Sequence, residues 1–284
     1  MKRLHFWAVL ILIGPVVAQA QVKTVLINGL WCKLYQGKKV AEIVAAPTYR
    51  NVVITSTGKP KKKVVIPKIV YDYDVMGNGK TAYSVIGIGE AAFKDQENLT
   101  EIELPENILI IDDFAFEGCT KLQKITLPSN LLYLGEGAFT SCESLQNIVI
   151  LDSLKQIGSG AFDGCKNLKS VAWNAIHCDL MPSLIDTTIV SPFVNCPKLS
   201  LFTFGEKVEF IPPALLYRNQ AVKKISIPQT VTEIGGYAFA YCKKLRLVRF
   251  KNSLGTRANQ ETWFAGCHAD IESVLMPGES VSIY

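Results

Sequence analysis

Apolar residues recur along this chain at an interval of 23, far longer than the period of a helix or a strand. The pair Ala-Phe occurs as Ala92-Phe93, Ala115-Phe116, Ala138-Phe139 and Ala161-Phe162, each 23 residues after the last, and returns as Ala238-Phe239. Phe193 and Leu216 are again 23 apart, Phe264 prolongs the series, and the one long step, 31 residues from Phe162 to Phe193, contains eight inserted residues. A unit this short cannot bury its apolar side alone, so the period predicts stacked copies sharing one continuous core.

Each Phe sits inside a longer phrase. In the second copy it reads Ile111, Phe116, Cys119, Leu122, Ile125, Leu127, Pro128, and in the third Leu134, Phe139, Cys142, Leu145, Ile148, Ile150. The fourth keeps the register through Ile157, Phe162, Cys165, Leu168, Val171 and Trp173, and the seventh through Ile234, Phe239, Cys242, Leu245, Val248 and Phe250. Leu122, Ile125 and Leu127 have the L-x-x-L-x-L spacing of a short strand that stacks on its equivalent in the next copy. Pro105, Pro128, Pro228 and Pro277 follow such strands and end them, having no N–H for a ladder. Gly89, Gly135, Gly158 and Gly235 follow the next aliphatic residue and are read as the points whose backbone freedom turns the chain back; Asp112 occupies that slot in the second copy, where the turn is expected to differ.

These residues predict a mostly-β repeat solenoid of the α/β type over residues 86–284, with about eight 23-residue repeats and an insertion near 174–191. Its parallel sheet is expected to contain Leu122, Leu145, Leu168, Leu199, Leu245 and their repeat mates. The phrase resembles the BspA-like leucine-rich-repeat family, a 23-residue subclass of surface and secreted proteins of host-associated bacteria, over about Ile86 to Pro277. The resemblance implies a right-handed solenoid with the parallel sheet on its concave face and an adhesive or partner-binding role, and it carries no catalytic residues or common ligand. Gln96 and Asn219 replace the Cys of the phrase, and Leu215-Leu216 replaces Ala-Phe.

Ahead of the repeats, Met1-Lys2-Arg3, an apolar run from about Phe6 to Val17, and Ala18-Gln19-Ala20 have the order of a cleavable signal peptide, so residues 1–20 are expected to be removed on export. The run is shorter than the roughly 20 residues of a spanning helix and holds Pro15, and no later stretch is long and apolar enough to span a bilayer. Residues 21–85 read as an N-terminal β-hairpin cap. Strands from Val25 to Ala45 flank Gln36-Gly37-Lys38-Lys39, Val64-Val65-Ile66-Pro67 looks like one more strand and Pro of the solenoid, and a second hairpin has its tip at Gly77-Asn78-Gly79.

Hydrophobic residues make up 49% of the chain and charged residues 19%, a core-rich rather than disordered composition. Losing Lys2 and Arg3 lowers the formal charge from +5 to +3, too mild for a dedicated nucleic-acid binder. No G-x-S-x-G elbow is present, and the two histidines left after cleavage, His177 and His268, offer little choice of a base, so no catalytic residue and no cofactor is assigned. His177-Cys178-Asp179 superficially suggests metal ligands, but a zinc site needs at least three protein groups, and the segment is read as a loop.

Cys119, Cys142, Cys165, Cys196, Cys242 and Cys267 share one slot of different repeats. Equivalent side chains in stacked coils point the same way, which holds their Cβ atoms near the about 4.8 Å strand spacing rather than the about 3.8 Å of a relaxed disulfide, so a buried thiol ladder is expected. Cys32 and Cys178 lie off that ladder. Lys59-Pro60-Lys61-Lys62-Lys63 is read as a solvated run guarding an edge strand.

Residues between the buried strand positions should face outward and change from acidic (Glu101, Glu103) to basic (Lys223, Lys224, Arg246, Arg249) along the stack. Those four cations are the candidate partner-binding residues. The expected function is non-catalytic recognition of a protein or glycan by a secreted or cell-surface protein; a periplasmic structural or envelope-assembly component is the alternative.

Overall fold

The computed structural model describes residues 22–27, 30–45, 48–49, 52–53, 62–73, 79–183, 188, 190–251 and 260–267. The expected signal peptide, His268, Pro277 and the hairpin tip at Gly77-Asn78 lie outside these residues.

Each repeat forms one coil, and stacking the coils builds two parallel ribbons. One ribbon contains Lys63–Val65, Glu101–Glu103 and Lys124–Ile125, then Asn147–Ile150, Ser170–Trp173 and Leu201–Phe204, then Lys224–Ile227 and Leu247–Phe250. Its pairing advances by whole repeats: Ile148 opposes Val171, Val171 opposes Phe202, and Ile225 opposes Val248. This places like residues over like, so one row of alternating side chains enters the core and the other faces solvent. Leu122, Leu145, Leu168, Leu199 and Leu245 are fully buried but stand just before the strands rather than in them, which corrects the expected make-up of the sheet.

From the sequence, a chain-reversing turn is expected at the glycine after each aliphatic residue and a hairpin around Gly77-Asn78-Gly79, and a second ribbon is not anticipated. Lys80–Ile88, Ile110–Ile111, Tyr133–Leu134, Gln156–Gly158 and Asp179–Met181 pair in parallel, and Phe210–Ile211 pairs with Glu233–Ile234. Most of these strands have only two or three residues, too short for an alternating pattern to stand out. Gln156 opposes Asp179 and Gly158 opposes Met181, each 23 residues on, so the chain keeps its repeat up to Met181 and the extra residues before Phe193 follow Met181.

Between the ribbons runs a column of aromatic rings. Phe93, Phe116, Phe139, Phe162 and Phe193 stack nearly parallel with centroids 5.3, 5.1, 5.2 and 5.4 Å apart, and Phe239 stacks on Phe264 at 5.5 Å. These spacings follow the coil pitch and lie within the range of favourable ring pairs. Where Leu216 interrupts the column, Phe202 and Phe204 from the preceding strand turn into the space and meet Phe193 and Phe239 edge to face at 5.7 and 6.3 Å. The turns carrying the column are laddered as well: Phe93 N donates to Ala115 O at 2.8 Å, Phe116 N to Ala138 O at 2.8 Å, and Phe139 N to Ala161 O at 2.7 Å.

The recurring glycines of the phrase serve close approach. Gly135, Gly158 and Gly235 do not have positive φ; a Cβ at each would collide with the backbone of Asp113, Glu136 and Pro213 respectively, one coil earlier. The expectation of backbone freedom there is therefore corrected, because the left-handed residues lie elsewhere in the turn.

At the N-terminal end, Val22–Ile27 and Leu30–Tyr35 form a hairpin, Leu30–Tyr35 pairs antiparallel with Val40–Ile43, and Val40–Ile43 pairs in parallel with Lys80–Ile88. Lys39 at φ 52 closes the turn between the second and third of these strands. The segment before Ile86 thus extends the second ribbon through Val40–Ile43 and the first through Lys63–Val65, whose Val64 opposes Ile102.

Candidate binding surface

The first ribbon presents a ladder of outward side chains because every second residue is buried. Ile102, Ile148, Val171, Phe202, Ile225 and Val248 point inward, while Glu101, Glu103, Asn147, Val149, Leu201, Thr203, Lys224, Ser226 and Arg249 are exposed. Charge is distributed unevenly over the stack. Between Ile86 and Glu117 lie nine Asp or Glu and one Lys, whereas between Ala214 and Lys251 lie eight Lys or Arg and one acidic residue, Glu233.

The two ends of this surface are electrostatically different in a further respect. At the acidic end, Lys63 heads the edge strand and bridges Glu101 at 3.2 Å and Glu103 at 2.5 Å. These carboxylates hold the Lys63 ammonium above its ordinary range through hydrogen bonds. Lys63, expected in a solvated run, is therefore part of the ladder and offsets the outward glutamates; Lys59 and Lys61 lie outside the described residues.

At the basic end the four candidate residues come together on adjacent coils, Lys224 and Arg249 within the paired strands Lys224–Ile227 and Leu247–Phe250, and Lys223 and Arg246 just before them. Lys224 opposes Leu247 and Ser226 opposes Arg249, while Arg246 N donates to Lys223 O at 2.8 Å, so Arg246 lies beside Lys223 and Arg249 one inward residue away from both Leu247 and the Lys224 row. Lys223, Lys224 and Arg249 are exposed. Arg246 is half-buried, and its Nη1 is enclosed with no hydrogen-bond partner. None of the four makes an ion pair among the described residues.

The thiol ladder is built into the turns and not onto this surface. Cys119, Cys142, Cys165, Cys196, Cys242 and Cys267 each donate S–H to the carbonyl of Phe93, Phe116, Phe139, Phe162, Leu216 and Phe239, at 3.1 to 3.3 Å. Burial pushes Cys119 and Cys196 up to about 12 and Cys142 and Cys165 well above the ordinary thiol range, so these groups stay protonated and serve as donors. All eight cysteines are thiols. Asn219, in the Cys slot of its coil, instead accepts from Ala221 N and Val222 N at 2.9 and 2.8 Å.

His177-Cys178-Asp179 is divided by the fold. His177 stacks on Phe210 at 4.7 Å, Cys178 is fully buried, and Asp179 begins a strand of the second ribbon, with its carboxylate 3.9 Å from His177. Among the described residues no group of three or more His, Cys, Asp or Glu could hold a metal ion, and no helix is long and apolar enough to cross a membrane.

Parallel ribbons repeating every 23 residues around one aromatic column define a leucine-rich-repeat solenoid. Residues 86–215 and 181–284 match the BspA type leucine rich repeat region, in 6 copies, and the chain belongs to that family. Among solved structures it is similar to a leucine rich cell surface protein from Faecalibacterium prausnitzii A2-165, with a TM-score of 0.57 and 23% identity over 84% of this chain and 56% of that one. The chain thus spans little more than half the length of that relative. The leucine rich repeat protein of T. pallidum aligns with a TM-score of 0.45 and 21% identity over 78% of this chain and 91% of that one. The pneumococcal vaccine antigen PcpA aligns with a TM-score of 0.33 and 15% identity over 84% of each chain. No match is found among curated proteins.

Proposed function

We propose that this is a non-catalytic, exported binding protein that engages an anionic macromolecule, protein or glycan, through the basic end of its first ribbon. The observation that carries this reading is the set Lys223, Lys224, Arg246 and Arg249 in or just before two adjacent strands, none of them paired with a carboxylate among the described residues. Such an uncompensated patch raises the local concentration of an anionic partner and speeds its association. A stack of coils also offers an extended, rigid surface of the kind solenoids use for binding.

Export and display at the cell surface rest on the residues of the N-terminal segment and on the description of the F. prausnitzii relative as a cell surface protein. Residues 21–85 act in this reading as a cap, because without them the first coil would expose an apolar face.

Cell fractionation combined with protease treatment of intact cells tests the location. Recovery in the medium, or digestion from the surface of intact cells, is expected. Recovery only from a protected periplasmic fraction would contradict display and support an envelope-assembly role. A binding screen of the exported chain against extracellular-matrix proteins and acidic glycans then identifies the partner.

A further inference from the structure

Most turns hold two positions at positive φ, and two C-terminal coils fill them in an unusual way. One slot contains Asp95, Gly118, Ser141, Gly164, Asn195, Arg218, Tyr241 and Gly266, with φ between 53° and 72°. The other contains Ala91, Phe114, Gly137, Gly160, Ala214 and Tyr237, with φ between 53° and 60°. This backbone is imposed by the coil and is disfavoured for residues with a Cβ; glycine adopts it freely, and Asn and Asp tolerate it best among the rest. Gly, Ser, Asp and Asn fill the first slot until Arg218 and Tyr241, which are large and retained against that preference.

These side chains gather into one exposed group. The rings of Tyr217 and Tyr241 meet edge to face with centroids 5.4 Å apart, and the Arg218 guanidinium lies 5.2 Å from the first ring and 5.8 Å from the second. Tyr241 also flanks Gly266, where a Cβ would collide with its ring. Core packing does not account for Tyr241, which is 39% exposed, whereas Tyr217 is partly buried against the core. The backbone is common to the turns along the stack, so what sets this cluster apart is the large, solvent-facing side chains placed on it. Lys243 and Lys244, exposed and just past Tyr241, add positive charge between this cluster and the first ribbon.

We propose that Tyr217, Arg218 and Tyr241 form a binding site for an acidic saccharide. A sugar ring would lie on an exposed tyrosine face through its C–H groups, and its carboxylate or sulfate would meet the planar guanidinium fork of Arg218, whose geometry suits such groups. Lys243 and Lys244 supply the longer-range attraction. This site lies on the turns and uses none of the four cations of the strand face, so it stands independently of the function proposed above.

The test exploits the backbone. Glycine is the residue best suited to position 241, so Tyr241→Gly is expected to keep the melting temperature of the parent within a few degrees while removing the ring. Calorimetry would be run on the purified chain with hyaluronan, chondroitin sulfate and heparin oligosaccharides, a neutral N-acetylchitohexaose and a poly-Glu peptide. At least one acidic oligosaccharide should bind, the neutral one more weakly. Tyr241→Gly and Arg218→Gln should each weaken that binding about tenfold, equivalent to about 1.4 kcal/mol, whereas Lys224→Glu with Arg249→Glu should leave the aromatic contribution in place. The proposal is overturned if no acidic oligosaccharide binds, if poly-Glu binds as well as any of them, or if Tyr241→Gly binds as tightly as the parent. It is also overturned if Tyr241→Gly melts well below the parent, since the ring would then be structural.

Discussion

The thiol of Cys142 donates to the carbonyl of Phe116, one coil earlier, at 3.2 Å, and that same carbonyl accepts the backbone N–H of Cys119 from its own coil at 3.1 Å. One buried oxygen thus binds two donors, which fixes both the turn and its neighbour. The arrangement gives a small residue with an S–H a specific purpose at this slot. It also explains why Gln96, in the first repeat copy, departs from the pattern without disturbing the coils above it: the Phe93 carbonyl is met instead from above, by Cys119 at 3.1 Å.

The thiols are therefore expected to differ in reactivity. Cys267 is partly exposed, and its hydrogen bond with Cys242 lowers its pKa, while burial raises those of Cys119, Cys142, Cys165 and Cys196. Timed alkylation of the native protein, followed by mass spectrometry, should label Cys267 first. Alkylation after unfolding without reductant should find all six ladder thiols free; bridged neighbours such as Cys119 with Cys142 would contradict the ladder. Cys142→Val should cost more than loss of a surface thiol, since it leaves the buried Phe116 carbonyl one donor short, by about 1 to 3 kcal/mol.

Phe139 is fully buried and stacked between Phe116 and Phe162. Replacing it by Ala removes contacts in three successive coils at once and should destabilise the fold by about 3 to 5 kcal/mol. Chemical denaturation measures this directly, and an unchanged midpoint would show that the column is not the core.

Adjacent glycines separate the two roles a glycine can have. A Cβ on Gly235 collides with Pro213, whereas one on Gly236 meets nothing within 4 Å, and neither residue has positive φ. Gly235→Ala should cost about 1 to 3 kcal/mol through overpacking. Gly236→Ala should be neutral or slightly stabilising, by up to about 1 kcal/mol, because it restricts the unfolded chain. Equal effects in thermal melts would argue against close approach of the coils at Gly235.

Asp112 occupies the slot that is glycine in neighbouring coils, and its carboxyl is pushed up to about 7, first by burial and then by the neighbouring charges of Asp113, Glu42 and Glu90. The folded chain therefore holds this proton more tightly than the unfolded chain, whose Asp titrates near about 3.9. Stability is highest below about pH 4 as far as this group is concerned, and falls as pH rises from about 4 to about 7. Asp112→Asn, which resembles the protonated acid and still offers an oxygen to Asp113 N, should match the parent at pH 4 and exceed it at pH 8. Melting curves that remain parallel across this range would exclude Asp112 as their source.

Much of the fold was legible because identical residues do identical work in every coil: Phe93, Phe116, Phe139 and Phe162 could be aligned by counting alone. The second ribbon was not, since strands such as Ile110–Ile111 and Tyr133–Leu134 are too short to show alternation. The glycine slot was legible as a requirement but its cause was not, because the clash at Gly158 is with Glu136 of the preceding coil and arises only once the coils are stacked. The strand-face cations could be placed from the repeat register, whereas the grouping of Tyr217, Arg218 and Tyr241 required the left-handed turns to be seen. The sheet alternation directed attention to one face of the coil, and these residues are on another.

The most direct test of the binding function replaces Lys223, Lys224, Arg246 and Arg249 together by Glu and measures affinity for the partner identified by the screen, from about 0.1 to about 1 M salt, where the screening length falls from about 10 to about 3 Å. The parent should bind more weakly as salt rises, and the charge-reversed protein, with its melting temperature checked, should bind at least tenfold more weakly at the lowest salt, a difference of about 1.4 kcal/mol or more. Equal affinity of the two proteins, with binding indifferent to salt, would contradict the assignment of the basic strand face as the binding surface.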